Sequence, residues 1–541
     1  MSLGGTPILL LKEGTKRERG QDAQHNNIMA AVAIAEAIRT ALGPKGQDKM
    51  LVDSFGDVTI TNDGATILKE IDVEHPAAKM IVEVAKTQDD EVGDGTTSAV
   101  VLAGELLKQA ELLTDQKIHP TVIVEGYRKA TEKALESLDS IAVDDDSDTM
   151  LKKVAMTSMQ SKVVSEFRKF LADLAVLAIK RVTDTVDGTK QADIDNVKVE
   201  KKQGGTVRDT MFIEGIVLDK EIVHPGMAKT LTDPKIALIQ SAFEVEKTEF
   251  TAKIDIREVS QMQAFLDEEE RMLREMVVKV KKAGANVVLC QKGIDDVAQH
   301  FMAQEGIVAV RRIKESDMEK LARATGAKLI SNLDDLTKKD LGTAHLLEER
   351  KIADDKMVFV EGCKNPKAVS ILLRGSTDLV VDEAERALHD ALCVIRNVVE
   401  DGRVVAGGGA PEIQVSRNLQ EYAESLPGRE QLAVIAFAEA MEIIPKTLAE
   451  NAGLDPIDII ADLKAQHEKG EVTVGVDGIK GKVGDLAKAN VWEPLVVKRQ
   501  AVKSASEVAQ MLLRIDDVIA SKGMQAGGGP GGPPGGEDFE D

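Results

Sequence analysis

The ten residues Asp89-Asp90-Glu91-Val92-Gly93-Asp94-Gly95-Thr96-Thr97-Ser98 combine the parts that phosphate chemistry needs. Glycine lets the backbone curl and approach an anion closely. Thr96, Thr97 and Ser98 bring hydroxyls and free N–H groups to a helix N-terminus, where the macrodipole favours negative charge. Asp94 adds a hard oxygen of the kind Mg²⁺ takes beside phosphate oxygens. The same string also fits an ordinary capped helix after a glycine turn, since capping uses the same residue types. Two further glycine segments invite the question. Leu42-Gly43-Pro44-Lys45-Gly46 packs a rigid loop against a nucleotide or simply ends a helix, with Gly43 at a left-handed cap. Ala406-Gly407-Gly408-Gly409-Ala410-Pro411-Glu412 lies between a short strand, Val404-Val405, and a helix that Pro411 can begin. Glycine there permits close approach of a ligand or a tight turn. Asp63, between a strand and a helix, reads as an N-cap. Asp382, Arg386 and Asp390 recur at four-residue steps and read as a solvated helix face with an i,i+4 ion pair. No GxxxxGK[ST] string occurs, and no GxGxxG opens a βαβ unit, so any nucleotide site is of another type.

Hydrophobic periodicity supplies the elements that would hold these residues. Ile28, Val32, Ala35, Ile38 and Leu42 form one stripe of a helix starting near Asp22. Short strands are expected near Met50–Asp53 and Asp57–Thr61, and helices over 75–140. The acidic run Asp144–Asp148 breaks the helical pattern and marks a boundary. Helix is expected again over 149–183, and strands from Val197. Across 235–365 strands and helices alternate, which implies a parallel α/β unit. Within it, Ser316 and Glu319 read as a capping box for a helix ending at Gly326. Residues 245–280 interrupt the alternation with a polar segment carrying Met262, Phe265 and Met272. A long helix is expected over 378–400, helices over 411–470, strand-like pieces over 471–500, and a last helix over 504–520. From Ser521 the chain has eight Gly and three Pro and reads as a flexible tail.

Composition excludes several classes. The chain has 541 residues, enough for three or four domains at about 150 residues each. Its formal charge of −23 argues against a general nucleic-acid binder. Aromatics make up 3%, too few for base-stacking platforms or membrane-interface belts. The longest apolar run is eight residues, Ile28–Ala35, against about 20 for a spanning helix. Ile8–Leu11 lacks a basic lead-in and a cleavage-like site, so no signal peptide is expected. Cys290, Cys363 and Cys393 form no CxxC pair, which disfavours disulfides and structural zinc and fits a reducing, cytoplasmic setting.

Taken together, the strings ALGPKGQDKMLVD (41–53), ITNDGATIL (60–68), QDDEVGDGTTSAVVLAGELL (88–107), MTSMQSK (156–162), LLRGSTDLVVDEAERALHDAL (372–392), VVAGGGAPE (404–412) and WEPLVVKRQA (492–501) closely resemble a group II chaperonin subunit, the archaeal thermosome and eukaryotic cytosolic chaperonin family. The likeness covers nearly the whole chain. Gln160 stands where the family often has Asn, and 473–477 lacks an Asn often seen before its Gly. The resemblance implies a multidomain α and α/β protein. A mainly helical equatorial ATPase domain would combine 1–146 and 404–521. An α/β intermediate hinge domain would combine 147–215 and 370–403. An α/β apical domain would fill 216–369, with a helical lid protrusion about 245–280, and 522–541 would be a Gly-rich tail. By matching position, Leu42, Gly43 and Pro44 would line a nucleotide pocket, Asp94 would hold Mg²⁺, and Gly95, Thr96, Thr97 and Ser98 would cradle ATP phosphates. Gly408 and Gly409 would face sugar and base, with Asp477 nearby, Glu493 on the ribose and Lys498 beside it. Asp390 would orient or deprotonate the attacking water, Asp63 would position metal and water, and Lys162 would sense the terminal phosphate. The implied function is an ATP-hydrolysing folding machine, built of identical or paralogous subunits in stacked rings, that binds unfolded client proteins. Met262, Phe265 and Met272 are client-contact candidates. An ATP-using small-molecule kinase or ligase, or a non-catalytic scaffold, are the competing classes; no motif for a second substrate is visible.

Overall fold

The computed structural model describes residues 16–245, 259–364 and 366–520. A strand, Lys16–Arg19, leads into α1 (Gly20–Arg39), which buries Ala23, Ile28, Ala31, Ala35 and Ile38 on one face. The helix closes at Thr40, so Gly43, at φ +86°, shapes the turn beyond the helix and is not its cap. A hairpin of Lys49–Val52 and Val58–Thr61 precedes α2 (Gly64–Glu70). Then come α3 (Pro76–Val92), α4 (Thr96–Asp115) and α5 (Pro120–Ile141). Proline opens α3 and α5, where its missing N–H forfeits no helical hydrogen bond.

The single helix expected over 149–183 is two, α6 (Asp148–Ser158) and α7 (Arg168–Val182), joined through a 3₁₀ turn at Val163–Phe167. Thr157 and Ser158 turn their hydroxyls back onto the carbonyls of Lys153 and Ala155, local bonds that compete with the helical ladder. Strands also begin earlier than Val197. Thr183–Val186 and Thr189–Ala192 form a hairpin about Asp187-Gly188, both at positive φ, as a tight two-residue hairpin requires. Its polar residues hid it from periodicity.

Val197–Gln203 pairs in parallel with Val369–Gly375, which also pairs antiparallel with Met211–Ile213. Between these returns lies the α/β block. One antiparallel sheet joins Thr230–Thr232, Leu346–Ile352, Asp355–Glu361 and Gly215–Leu218. A parallel set joins Val308–Val310, Val287–Cys290, Lys235–Ile239 and Leu329–Ile330, as the alternation predicts. The helices of the block are α8 (Val259–Ala283), α9 (Asp296–Gln304) and α10 (Glu315–Thr325). Residues 246–258 of the expected protrusion lie outside the described residues, as does the tail from Ser521. The capping box is not formed: Lys314 is the N-cap residue of α10, and Ser316 sits inside the first turn. Glu315 and Asp317 complement the dipole there instead.

The long helix α11 (Asp378–Asp401) ends at left-handed Gly402. The i,i+4 pair expected on it is absent: Asp382 bonds Lys201 at 2.9 Å and Arg386 bonds Glu383 at 2.9 Å. A strand, Arg403–Ala406, then leads to α12 (Ala410–Glu424), α13 (Arg429–Met441), α14 (Ile443–Asn451) and α15 (Pro456–Glu468). A hairpin, Val474–Asp477 with Lys482–Asp485, and a strand, Trp492–Pro494, follow. The last helix, α16 (Leu495–Leu513), starts well before residue 504. Its opening Leu-Val-Val looks like strand, but Leu495 and Val497 are buried against the helical core, and burial overrides local propensity. The final stretch, expected as helix, is a strand, Asp517–Ala520, that pairs with Lys16–Arg19.

Three large cores result. The first joins α1–α5 with residues from 405 onward, including α12, α13 and α16. The second gathers residues 216–368. The third is built by α6, α7 and α11 with Val197, Val369, Ile371 and Leu373. No described helix is long and apolar enough to cross a membrane. In the first core, glycine sets helix spacing: a Cβ on Gly104 of α4 would lie 2.4 Å from the Ala35 Cβ of α1. Gly104→Ala must push α1 and α4 apart, an overpacking cost of about 1–3 kcal/mol. That exceeds the roughly 1 kcal/mol gained in helix propensity. The variant is expected to unfold at lower urea concentration; an equal or higher midpoint would contradict this packing.

Candidate active site

The acidic glycine string folds as two left-handed residues bracketing one carboxylate. Gly93, at φ +66°, closes α3 by donating its N–H to the carbonyls of Gln88 and Asp89. Gly95, at φ +76°, is the N-cap residue of α4 and has no side chain with which to cap it. The first-turn N–H groups of α4 are therefore left for an outside acceptor, beside the hydroxyls of Thr96, Thr97 and Ser98. Asp94 accepts one hydrogen bond, from the Gly95 N–H at 2.6 Å. Burial, reinforced by the Glu493 carboxylate, pushes its carboxyl up to about 6.

Asp63 caps α2, accepting from the Thr66 N–H at 2.9 Å and the Thr66 hydroxyl at 2.7 Å. Burial works against its ionisation, but the Lys162 ammonium and the bonds from Thr66 and Ala65 hold it below the usual carboxylate range. Lys162, just after α6, places its Nζ 2.6 Å from Asp390 Oδ2 on α11. Lys162 is buried and Asp390 largely so. One ammonium thus faces the carboxylates of Asp63, Asp94 and Asp390. Burial opposes the charge on Lys162, yet the Asp390 and Asp63 carboxylates keep it protonated to unusually high pH. Asp390 holds its proton well above the ordinary range, because burial and the neighbouring Asp63 and Asp94 outweigh Lys162.

On the opposite side, Gly408 and Gly409 sit at φ +68° and +80° at the mouth of α12. The Val476 N–H donates to the Gly408 carbonyl at 2.8 Å, seating the 474–485 hairpin on the glycines. A Cβ at Gly408 would lie 2.9 Å from the Val476 carbonyl oxygen, so only glycine fits. Lys498 on α16 is buried between Glu493 at 2.6 Å and Glu412 at 2.9 Å. Asp477 is engaged by Lys480, through its N–H at 3.0 Å and its Nζ at 2.8 Å.

These groups surround one cavity of about 400 Å³. Leu42, Gly43 and Pro44, Asp63, residues 94–98, Lys162, Asp390, Gly408, Gly409, Asp477, Glu493 and Lys498 all line it. Met262, Phe265 and Met272 do not; they lie exposed on α8, at 56%, 49% and 39% of full accessibility. The sequence reading missed several lining groups, including Asn62, Arg168, Ile479 and Lys480. Asn62 lay inside a quoted string and bonds the Ser161 carbonyl at 2.5 Å; Arg168 had no motif around it. Gln88 was missed as well. It is buried and donates to the carbonyls of Asp94 and Val497, tying the 93–95 turn to α16. Among the described residues no three Asp, Glu, His or Cys side chains form a metal cage by themselves. The arrangement instead suits a cation held by one or two carboxylates and shared with phosphate oxygens, the usual manner of Mg²⁺.

Residues 34–523 match the model of the TCP-1/cpn60 chaperonin family. The chain belongs to that family. This chaperonin is similar to thermosome subunit beta of Archaeoglobus fulgidus, 60% identical over 538 residues, 98% of this chain and 99% of the relative. It is likewise 60% identical to the thermosome subunit of Pyrococcus horikoshii over 525 residues, 97% of this chain and 96% of the relative. Thermosome subunit alpha of Thermoplasma acidophilum is also 60% identical, over 532 residues and 98% of each chain. The protein is thus a group II chaperonin subunit, with the multidomain α and α/β fold of that group, and nucleotide use is implied. Within its cavity, Lys498→Met would leave the buried Glu412 and the part-buried Glu493 without their cation. Breaking a buried pair in this way costs about 3–5 kcal/mol. Chemical denaturation should register that loss and a partial recovery when Glu412→Gln is added; an unchanged midpoint would speak against the buried Lys498–Glu412 pair.

Proposed function

We propose that this chaperonin binds ATP with Mg²⁺ in the 400 Å³ cavity, hydrolyses it, and couples the reaction to closure of a built-in lid over a folding chamber. The observation that carries the proposal is the convergence of two cores on one pocket. The first core supplies the amide-rich start of α4, Asp94 and Asp63, and the third supplies Asp390 and Lys162. Phosphoryl transfer needs positioning and charge neutralisation more than covalent chemistry, and such a donor set provides both.

The residues divide the work. The N–H groups and hydroxyls of residues 95–98 donate to phosphate oxygens. Asp94 holds Mg²⁺, which when bound neutralises phosphate charge. Gly408 and Gly409 let the sugar and base approach the backbone, with Glu493 accepting from the ribose and Lys498 holding Glu493 in place. Leu42, Gly43, Pro44 and Asp477 complete the walls. Asp390 accepts a proton from the attacking water, a role that suits a carboxylate with raised proton affinity. Asp63 orients that water, and Lys162 contacts the terminal phosphate.

We assign the first core to an equatorial domain, 1–146 with 404–521, the third to an intermediate domain, 147–215 with 370–403, and the second to an apical domain, 216–369. The three separate cores support this division. A carboxylate carried by a hinged core completes the site only on closure, so hydrolysis and lid movement become one event. Archaeoglobus fulgidus has both alpha and beta thermosome subunits similar to this chain, so paralogous subunits occur in these oligomers. We extend this to stacked rings of identical or paralogous subunits, to unfolded clients contacted through Met262, Phe265 and Met272, and to a cytoplasmic setting that keeps the three cysteines reduced.

Asp390→Asn is expected to bind ATP normally while phosphate release falls about 10²–10⁴-fold, the usual worth of a general base. Turnover at the wild-type rate would remove Asp390 from the mechanism. Asp94→Ala should abolish the Mg²⁺ dependence of phosphate release, and negative-stain images should show double rings. A lasting monomer in the presence of ATP would refute the assembly.

A further inference from the structure

Four cations line the cavity: Lys162, Arg168, Lys480 and Lys498. Three have anionic partners, Asp390 at 2.6 Å, Asp477 at 2.8 Å, and Glu493 and Glu412 at 2.6 and 2.9 Å. Arg168 is half-buried, yet among the described residues its side chain has no hydrogen bond, ion pair or ring contact. A guanidinium carries five N–H donors in a rigid fork, and partial burial without an acceptor is costly.

Its position sharpens the anomaly. Arg168 is the first residue of α7, Lys169 is the second, and no acidic residue stands in that first turn. Helix N-termini repel cations, so two in succession are unfavourable unless an anion arrives from outside. The direction from which it would arrive is also constrained. Arg168 follows Lys162 by one 3₁₀ turn, and α7 packs on α6 and on α11, the helix that bears Asp390. Arg168, Lys162 and Asp390 therefore stand on or beside elements that build one core. The planar fork matches phosphate oxygens in a way a lysine point charge does not.

We infer that Arg168 is a further catalytic residue, donating hydrogen bonds to the terminal phosphate of the bound nucleoside triphosphate as the third core closes. It neutralises charge on the departing phosphoryl group, beside Lys162, and takes no part in proton transfer. The inference rests on the cavity being the ATP site. A consequence of the assignment is that the pocket holds triphosphate more tightly than diphosphate, because the diphosphate offers Arg168 nothing to hold.

The test uses the assembled full-length protein and the variants Arg168→Ala, Arg168→Gln and Arg168→Lys. Trp492, the only tryptophan, lines the cavity and reports binding by fluorescence. Arg168→Ala and Arg168→Gln should lower kcat at least tenfold and weaken binding of a non-hydrolysable ATP analogue at least fivefold. ADP affinity should stay at the wild-type value, the nucleotide-free melting temperature of Arg168→Ala and Arg168→Gln should be no lower than wild type, and Arg168→Lys should recover part of the loss. Equal weakening of ADP and the analogue, or kcat within twofold of wild type, overturns the assignment. A wild-type protein that releases no phosphate overturns the ATP-site reading and this inference together; an active wild type beside an equally active Arg168→Ala overturns only this inference.

Discussion

Charge held in a dry place organises this molecule. Asp63, Asp94 and Asp390 crowd around a single Lys162 ammonium. Burying carboxylates is expensive unless cations or donors compensate. Asp63 is compensated locally by Thr66, whereas Asp94 receives one N–H and Asp390 shares Lys162. A site left short of positive charge is a site prepared to receive some. The glycines follow from the same demand: at 93, 95, 408 and 409 the backbone turns with φ positive, so that main-chain groups occupy space that side chains would fill.

The chain path makes that cluster a relay between cores. The first core is left near residue 142 and regained near 405, and everything between hangs on those two crossings. At the crossings Val143–Asp144 pairs with Arg403–Val404, so the outgoing and returning strands are stitched to each other. Asp390 lies about three turns of helix before the end of α11 and the return, and Lys162 lies shortly after the departure. The ion pair between them bridges 228 residues of sequence but almost none of the path between cores. Arg396 and Asn397 of α11 also hold the carbonyls of Glu91 and Val92, next to the Gly93 turn. The third core thereby grips the phosphate-facing loop as well as facing it.

Most of the site was legible because its residues come in runs. Glycine beside Asp and Thr at 93–97, or three glycines before Pro411, has few uses, and each run sits at a helix boundary that periodicity locates independently. Groups working singly were not legible. Gln88 and Arg168 carry no local signature; their meaning comes from what lies across the fold. Element boundaries failed for identifiable reasons. Tertiary burial drew Leu495–Val497 into α16, hydroxyl back-bonding ended α6 early, and the polar 183–192 hairpin had no alternation to reveal it. Lys314 displaced Ser316 as the residue before α10 because acidic residues in the first turn already satisfied the dipole.

The pairing of Lys16–Arg19 with Asp517–Ala520 has a geometric corollary. Because Lys16 stands opposite Ala520, the chain between these two residues is nearly a closed circle, joined by a four-residue zipper. Whatever is attached ahead of the one and behind the other departs from a common point on the first core. A label at Lys16 and one at Ala520 would report on the same neighbourhood, and a short bridge joining these two positions would let the chain be cut open elsewhere.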